Sequence, residues 1–271
     1  MANEIALLKV PDNSRILPPI NHTRQPPSLR IASEMKTLGL IGGLTWEATA
    51  VYYDVINRRV RKHLGGMHSA RCIIYSFDLD DIVKLQHSGE WDEASKLITS
   101  AASVLKNAQV DAILICTNTM HKFVNAVEMT SGLPVLHIAD ATAERIKSSK
   151  IRRIGLLGTQ FTMEEDFYKS RLTEKYELQV IIPQENERKV VHRIIYDELC
   201  QGIISPTSRS AFVEIIESLE EAGAEGVILG CTEIGLLVRP EDVRLPLFDT
   251  TIIHAEASAD WAISASGITI T

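Results

Sequence analysis

The 271-residue sequence has no Cys-x-x-Cys pair, and its four cysteines (Cys72, Cys116, Cys200 and Cys231) stand far apart. That spacing argues against a structural zinc or disulfide framework and for reduced thiols in a cytosol-like, cytoplasmic setting. No His/Asp/Glu cluster has ligand spacing, so no metal is expected. No lysine sits in a recognisable pyridoxal context, so no cofactor is expected either. No apolar run approaches the roughly 18 residues of a membrane span. Basic charge is not in excess: 28 Lys and Arg face 35 Asp and Glu, for a net charge of −7. A nucleic-acid partner would want a basic face. The run Gly39-Leu-Ile-Gly-Gly43 lacks the G-x-G-x-x-G pattern of a dinucleotide site.

The remaining composition is that of an ordinary globular chain, 45% hydrophobic and 23% charged. The length suits about two domains. Residues 1–35 differ from the rest. Pro11, Pro18-Pro19 and Pro26-Pro27 interrupt any helix or strand pattern, and a disordered extension is expected. Organellar targeting has weak support, because the segment's four Lys/Arg are accompanied by Glu4, Asp12 and Glu34.

One unit is written twice. Ile113-Leu-Ile-Cys-Thr-Asn-Thr119 and Ile228-Leu-Gly-Cys-Thr-Glu-Ile234 are each an apolar run ending in Cys-Thr and a polar side chain. Upstream lie Gly39-Leu-Ile-Gly-Gly-Leu-Thr45 and Gly155-Leu-Leu-Gly-Thr159. Downstream lie Leu133-Pro-Val-Leu136 and Leu245-Pro-Leu-Phe248. The landmarks share an offset of about 115 residues. A fixed offset argues for a repeated α/β unit. Two units packed about a pseudo-twofold axis would bring both Cys-Thr strand ends to one cleft.

Hydrophobic periodicity supplies the elements. Strands are expected at Lys36–Ile41, Ala70–Ser76, Val110–Cys116, Ile154–Leu157, Leu178–Ile182 and Gly226–Leu229. Helices are expected at Glu47–His63, Asp92–Asn107, Glu164–Glu174, Lys189–Cys200 and Ser208–Ala222. Leu133–Ile138 and Leu245–Phe248 read as connections between the halves. Alternating strands and helices predict an α/β fold: two similar three-layer α/β domains with parallel sheets. The boundaries are 36–132 plus 245–271 for the N-terminal domain and 133–244 for the second. In such sheets ligands bind at the carboxyl ends of the strands.

Paired thiol or hydroxyl groups across a cleft suit removal of a proton from one face of a carbon and delivery to the other. A Cys is a plausible base once its pKa of about 8.5 is lowered. Backbone N–H groups of the turn Gly42-Gly43-Leu44-Thr45 could hold a thiolate or a substrate carboxylate.

Nearly all of residues 35–265 resembles the cofactor-independent aspartate/glutamate racemase superfamily. Gly39-Leu-Ile-Gly-Gly-Leu-Thr-Trp-Glu47, Cys116-Thr-Asn-Thr-Met-His121, Gly158-Thr159, Gly230-Cys-Thr-Glu233 and Leu245-Pro-Leu-Phe-Asp-Thr250 carry the likeness. The resemblance implies two α/β domains, an active site between them, usual assembly as a homodimer, a small-molecule amino-acid substrate, and two cysteines as the two bases. This sequence departs from the pattern at one base. The first motif usually reads Cys-Asn-Thr; here Cys116-Thr117-Asn118-Thr119 places Thr117 in the catalytic register. Strand side chains alternate in direction, so Cys116 and Thr117 cannot line the same spot. Thr117 is favoured for the pocket, with Cys231 as the dependable base and the L enantiomer as the one handled well.

Leu44, Asn118, Thr119 and Thr232 are the further substrate-binding candidates. Glu233 could bind the substrate ammonium, tune the thiol or cap the next helix. Gln86, on a loop before the Asp92 helix, and Gln201 match positions where acidic-substrate members carry cations. Their neutrality leaves aspartate and glutamate open against a broader neutral set. His121 could assist protonation. A maleate- or malonate-type isomerase or decarboxylase, and a two-lobed amino-acid-binding protein, are the competing readings.

Overall fold

The computed structural model describes residues 35–264. Apart from Met35, the extension expected over 1–35 lies outside the described residues. So do residues 265–271.

Two parallel sheets are present among the described residues. The first holds β1 (Leu38–Gly42), β2 (Cys72–Ser76) and β3 (Ala112–Ile115) in the order β2-β1-β3. The second holds β4 (Arg153–Gly158), β5 (Gln179–Ile181), β6 (Val227–Gly230) and β7 (Leu247–Asp249) in the order β5-β4-β6-β7. Val135 makes a single parallel bridge to Ile113 on the outer side of β3, where β7 stands beside β6. The segments expected to be plain connections therefore also edge the sheets. β1, β3 and β6 are buried along their whole length, as strands covered on both faces must be.

The helices in chain order are α1 (Trp46–Leu64), α2 (Leu79–Ser88), α3 (Trp91–Asn107), α4 (Val124–Ser131), α5 (Ile138–Ser148), α6 (Gln160–Glu164), α7 (Asp166–Ser170), α8 (Glu185–Asp197), α9 (Pro206–Glu221), α10 (Ile234–Leu237) and α11 (Thr250–Ser264). α1 and α11 cover one face of the first sheet, joining Tyr52, Ile56, Ala255 and Ala259 to Leu38, Leu40 and Leu114. α3 covers the other face with Ala94, Ile98, Ala102 and Leu105, the stripe its periodicity implied. α5, α8 and α9 pack on the second sheet. Two helices cross over. α5 follows the edge of the first sheet yet buries Ile138, Ala143 and Ile146 in the second core. α11 follows β7 of the second sheet yet buries Ala259, Ala262 and Ile263 in the first.

Three local expectations are corrected. Residues 79–88 are helix rather than loop: the Asp78 side chain accepts from the Asp80 N–H at the start, and left-handed Gly89 ends the element. Gln86 therefore projects from a helix. The helix expected at Glu164–Glu174 breaks at Glu165, which is extended (φ −79°, ψ 155°) and paired with Lys122 at 2.6 Å; α7 then runs into a π turn, Arg171–Lys175. α8 starts four residues early because the Glu187 carboxylate accepts from the Gln184 N–H at 2.8 Å.

The turn after β1 depends on Gly43. Its φ is +71°, and a Cβ there would lie 2.2 Å from the Phe77 carbonyl oxygen. Gly132 is also left-handed (φ +68°) but has nothing within 4 Å. Gly43→Ala should cost about 3 kcal/mol or more, and Gly132→Ala about 1 kcal/mol, by urea denaturation. Equal losses would show that the contact with Phe77 does not constrain the turn.

Candidate active site

The carboxyl ends of β1, β3, β4 and β6 meet around one cavity of about 40 Å³, room for a few waters. Leu44 and Thr45 follow β1, Thr117 and Thr119 follow β3, Thr159 follows β4, and Cys231, Thr232 and Glu233 follow β6; all line it. Gln86 on α2 and Tyr196 on α8 close it. No Lys, Arg or His is among the lining residues.

Thr117 and Cys116 part as strand alternation requires. Thr117 lines the cavity. Cys116 is fully buried among Leu38, Leu40, Tyr52 and Leu114 on the far side of the sheet, and burial pushes its thiol far above the ordinary range.

Glu233 organises the opposite wall. It is 4% exposed. One carboxylate oxygen accepts from the Cys231 thiol at 3.0 Å and from the Thr232 hydroxyl at 2.6 Å. The other accepts from the Thr45 hydroxyl. Thr45 Oγ1 in turn accepts from the Ala48 N–H at 3.2 Å, capping α1. Glu233 itself makes no side-chain cap bond to α10; of the three roles open to it from sequence, contact with the thiol is the one this geometry contains. Burial, then the Glu233 carboxylate, then Cys200 raise the Cys231 pKa well above its usual value. Cys231 is therefore a thiol at rest, not the standing thiolate expected of a dependable base.

The remaining candidates take different places. Tyr196 donates its hydroxyl to Gln86 Oε1 at 2.9 Å, so the Gln86 amide N–H₂ faces Met120 Sδ at 3.7 Å. Thr119 Oγ1 lies 3.0 Å from Thr159 Oγ1, linking the two units. Asn118 does not line the cavity: its Nδ2 donates to Thr250 Oγ1 at 2.9 Å, and its buried Oδ1 has no protein partner. Gln201 is exposed and outside the cavity. Cys200, read as structural from sequence, lines the cavity, and burial with the Glu233 charge pushes its thiol up to about 12. Tyr196 carried no motif. Thr45 carried one, a polar residue at a helix start after a glycine turn.

Behind the Thr117 wall lie three buried histidines. His121 and His137 rings are 4.6 Å apart, and His121 and His254 rings 5.8 Å. His254 Nε2 donates to the Leu136 carbonyl and its Nδ1 accepts from the Tyr52 hydroxyl, both at 2.7 Å. His137 Nδ1 accepts from the Ala139 N–H at 3.1 Å. Burial lowers the pKa of all three: His254 to about 4, His137 to about 2, and His121 well below its usual 6.5. The folded chain thus keeps them neutral where the unfolded chain would protonate them. Stability should be full above about pH 6.5 and fall between pH 6.5 and 4, by up to about 1.4 kcal/mol per histidine per pH unit. Urea midpoints at pH 7 and pH 5 check this; equal midpoints would contradict it.

The sequence pattern of the Asp/Glu/hydantoin racemase family matches residues 41–258. The chain is 54% identical to a Yersinia pestis protein of known structure, provisionally described as an Asp/Glu racemase, with a TM-score of 0.78 over 84% of this chain and 99% of that one. It is 34% identical to an aspartate racemase homologue from Pyrococcus horikoshii OT3, with a TM-score of 0.72 over the same 84% and 99%. It is 21% identical to the broad specificity amino-acid racemase RacX of Bacillus subtilis, over 82% of this chain and 96% of that protein.

Proposed function

The chain belongs to the Asp/Glu/hydantoin racemase family, and we propose that it is a cofactor-independent amino-acid racemase working with Thr117 on one face of the substrate and Cys231 on the other. The observation that carries the reading is the shared cavity: Thr117 and Cys231 leave corresponding strands and both line it, with Glu233 hydrogen-bonded to the Cys231 thiol. Active-site residues are proposed on that basis. The domain division, a homodimer and a cytoplasmic location stay part of the proposal.

The resting thiol defines the chemistry. As the α-proton moves to Cys231 Sγ, the thiol proton moves to the Glu233 carboxylate. The cysteine is thereby never a free thiolate in an apolar pocket, where the charge would be costly. The carbanion is then protonated from the other face by the Thr117 hydroxyl, which is reprotonated through cavity water as it gives its proton up; that water takes the proton left on Glu233, so the carboxylate and the hydroxyl are both restored. An alkoxide is far too basic to stand free. The two faces are therefore unequal, and abstraction at Cys231 is the faster step, assigned to the L enantiomer. The equilibrium constant stays at unity, so the inequality appears in individual steps.

The lining has no cation to pair with a second carboxylate, and Glu233 adds negative charge. A neutral amide at Gln86 offers hydrogen bonds without charge pairing. Amino acids with uncharged side chains should therefore be turned over at least as well as aspartate or glutamate. Proton NMR in deuterium oxide, with a panel of L-amino acids and no added cofactor, tests both points. Loss of an α-proton signal with appearance of the D form is expected. Absence of exchange from folded, reduced protein would favour a non-catalytic amino-acid-binding role.

Substitutions separate the two walls. Thr117→Ala should slow racemisation about a hundredfold or more and Cys116→Ala should leave it within twofold. The reverse ranking would put Cys116 at the substrate. Glu233→Gln removes the charge that raises the thiol, so Cys231 should react faster with iodoacetamide at pH 8. It also removes the proton acceptor, so racemisation should fall at least about tenfold. Faster alkylation together with unchanged racemisation would exclude Glu233 from the proton path.

A further inference from the structure

We infer that His121 is a positioning residue for Thr117: it locks the peptide that aims the Thr117 hydroxyl into the cavity, and so controls proton delivery on that face alone. The inference rests on the racemase reading above.

His121 does not line the cavity and is 3% exposed. Its Nε2 accepts from the Ile138 N–H at 3.2 Å. That bond fixes the tautomer, leaving the proton on Nδ1. Nδ1 donates to the Thr117 carbonyl oxygen at 2.7 Å. The ring is held in place by His137 and His254 on its flanks and by its own N–H, which donates to the Asn118 carbonyl at 3.1 Å. Thr117 lies just past the end of β3, where the ladder no longer holds the backbone. Its hydroxyl has no protein partner of its own among the described hydrogen bonds. The peptide anchored by His121 is therefore the constraint nearest to the side chain that must reach Cα. Cys231, on the other wall, is held by Glu233 and shares no hydrogen bond with this histidine among the described residues. A small error of placement at a reacting group can cost up to about a hundredfold.

The two ring nitrogens can be tested separately, because an Asn amide reaches about as far as Nδ1 and a Gln amide about as far as Nε2. His121→Asn can still donate to the Thr117 carbonyl but loses the Ile138 contact. His121→Gln keeps a partner for Ile138 but leaves the Thr117 carbonyl without a donor. The full chain is assayed in deuterium oxide with the L-amino acid that the unaltered protein racemises fastest. Two quantities are read: deuterium in the recovered L enantiomer, reporting the Cys231 face, and formation of the D enantiomer, which also needs the Thr117 face. His121→Gln should cut D formation about tenfold or more while deuterium in the recovered L form stays within twofold. His121→Asn should restore D formation to within about threefold of the unaltered protein. Equal losses on both faces, no loss on either, or the opposite order of Asn and Gln would overturn the assignment. If the unaltered protein exchanges no α-proton, the racemase reading itself fails, and that result differs from all the others.

Discussion

A buried carboxylate beside a thiol is the constraint around which the site is arranged. Leaving Glu233 unpaired at 4% exposure would cost several kcal/mol. Three donors meet it: the Cys231 thiol, the Thr232 hydroxyl and the Thr45 hydroxyl. Two come from the strand end that carries the candidate base, and the third comes from the other unit. The charge therefore joins the halves at the cavity. It also raises the Cys231 pKa together with burial, and both favour the proton on sulfur.

That arrangement changes what a duplicated motif can do. Two equivalent cysteines would give two interchangeable walls. Here the first repeat turns its cysteine into the core and presents a hydroxyl, while the second presents a thiol with a carboxylate one residue beyond its threonine. The wall with the weaker acid has no charged partner and relies on placement. The wall with the stronger acid has a proton acceptor within 3.0 Å. The strand order β2-β1-β3 recurs in β5-β4-β6, whereas the chemistry is not repeated.

Much of this was legible in the sequence because it depends on local rules. Fully apolar strands announced sheets covered on both faces, and the offset between motifs announced two corresponding sheets. The facing of Thr117 away from Cys116 followed from side-chain alternation alone. What the sequence hid depends on contacts far along the chain. Tyr196 reaches Gln86 across 110 residues and Thr45 reaches Glu233 across 188, and neither pairing leaves a local pattern. The helix at Leu79–Ser88 was obscured by its polar surface, although Asp78 and Gly89 bracket it as a cap and a stop. The resting state of Cys231 was also hidden: a turn rich in N–H groups suggested a stabilised thiolate, but the sulfur faces a carboxylate instead.

The crossed helices limit how the cavity can admit a substrate. The cavity is partly open, and polar side chains reach across it from opposite walls. The two units cannot simply drift apart, because α5 is built into the second core and α11 into the first. Any widening of the cavity that leaves those cores intact acts on the contacts between its walls. The bonds available to break are polar and single: Tyr196 to Gln86 at 2.9 Å, Thr119 to Thr159 at 3.0 Å, and Thr45 to Glu233. Each is worth about 1 kcal/mol net, more where the carboxylate is involved. Each also presents a donor or acceptor that an amino acid's ammonium, carboxylate or side chain can satisfy once inside. On the racemase reading, the groups that join the walls are thus the groups an amino acid would engage. On that reading, exchange of one set of hydrogen bonds for another offsets the loss of those contacts. The His121 tie between Thr117 and the first residue of α5 keeps the Thr117 wall in register with that crossed helix.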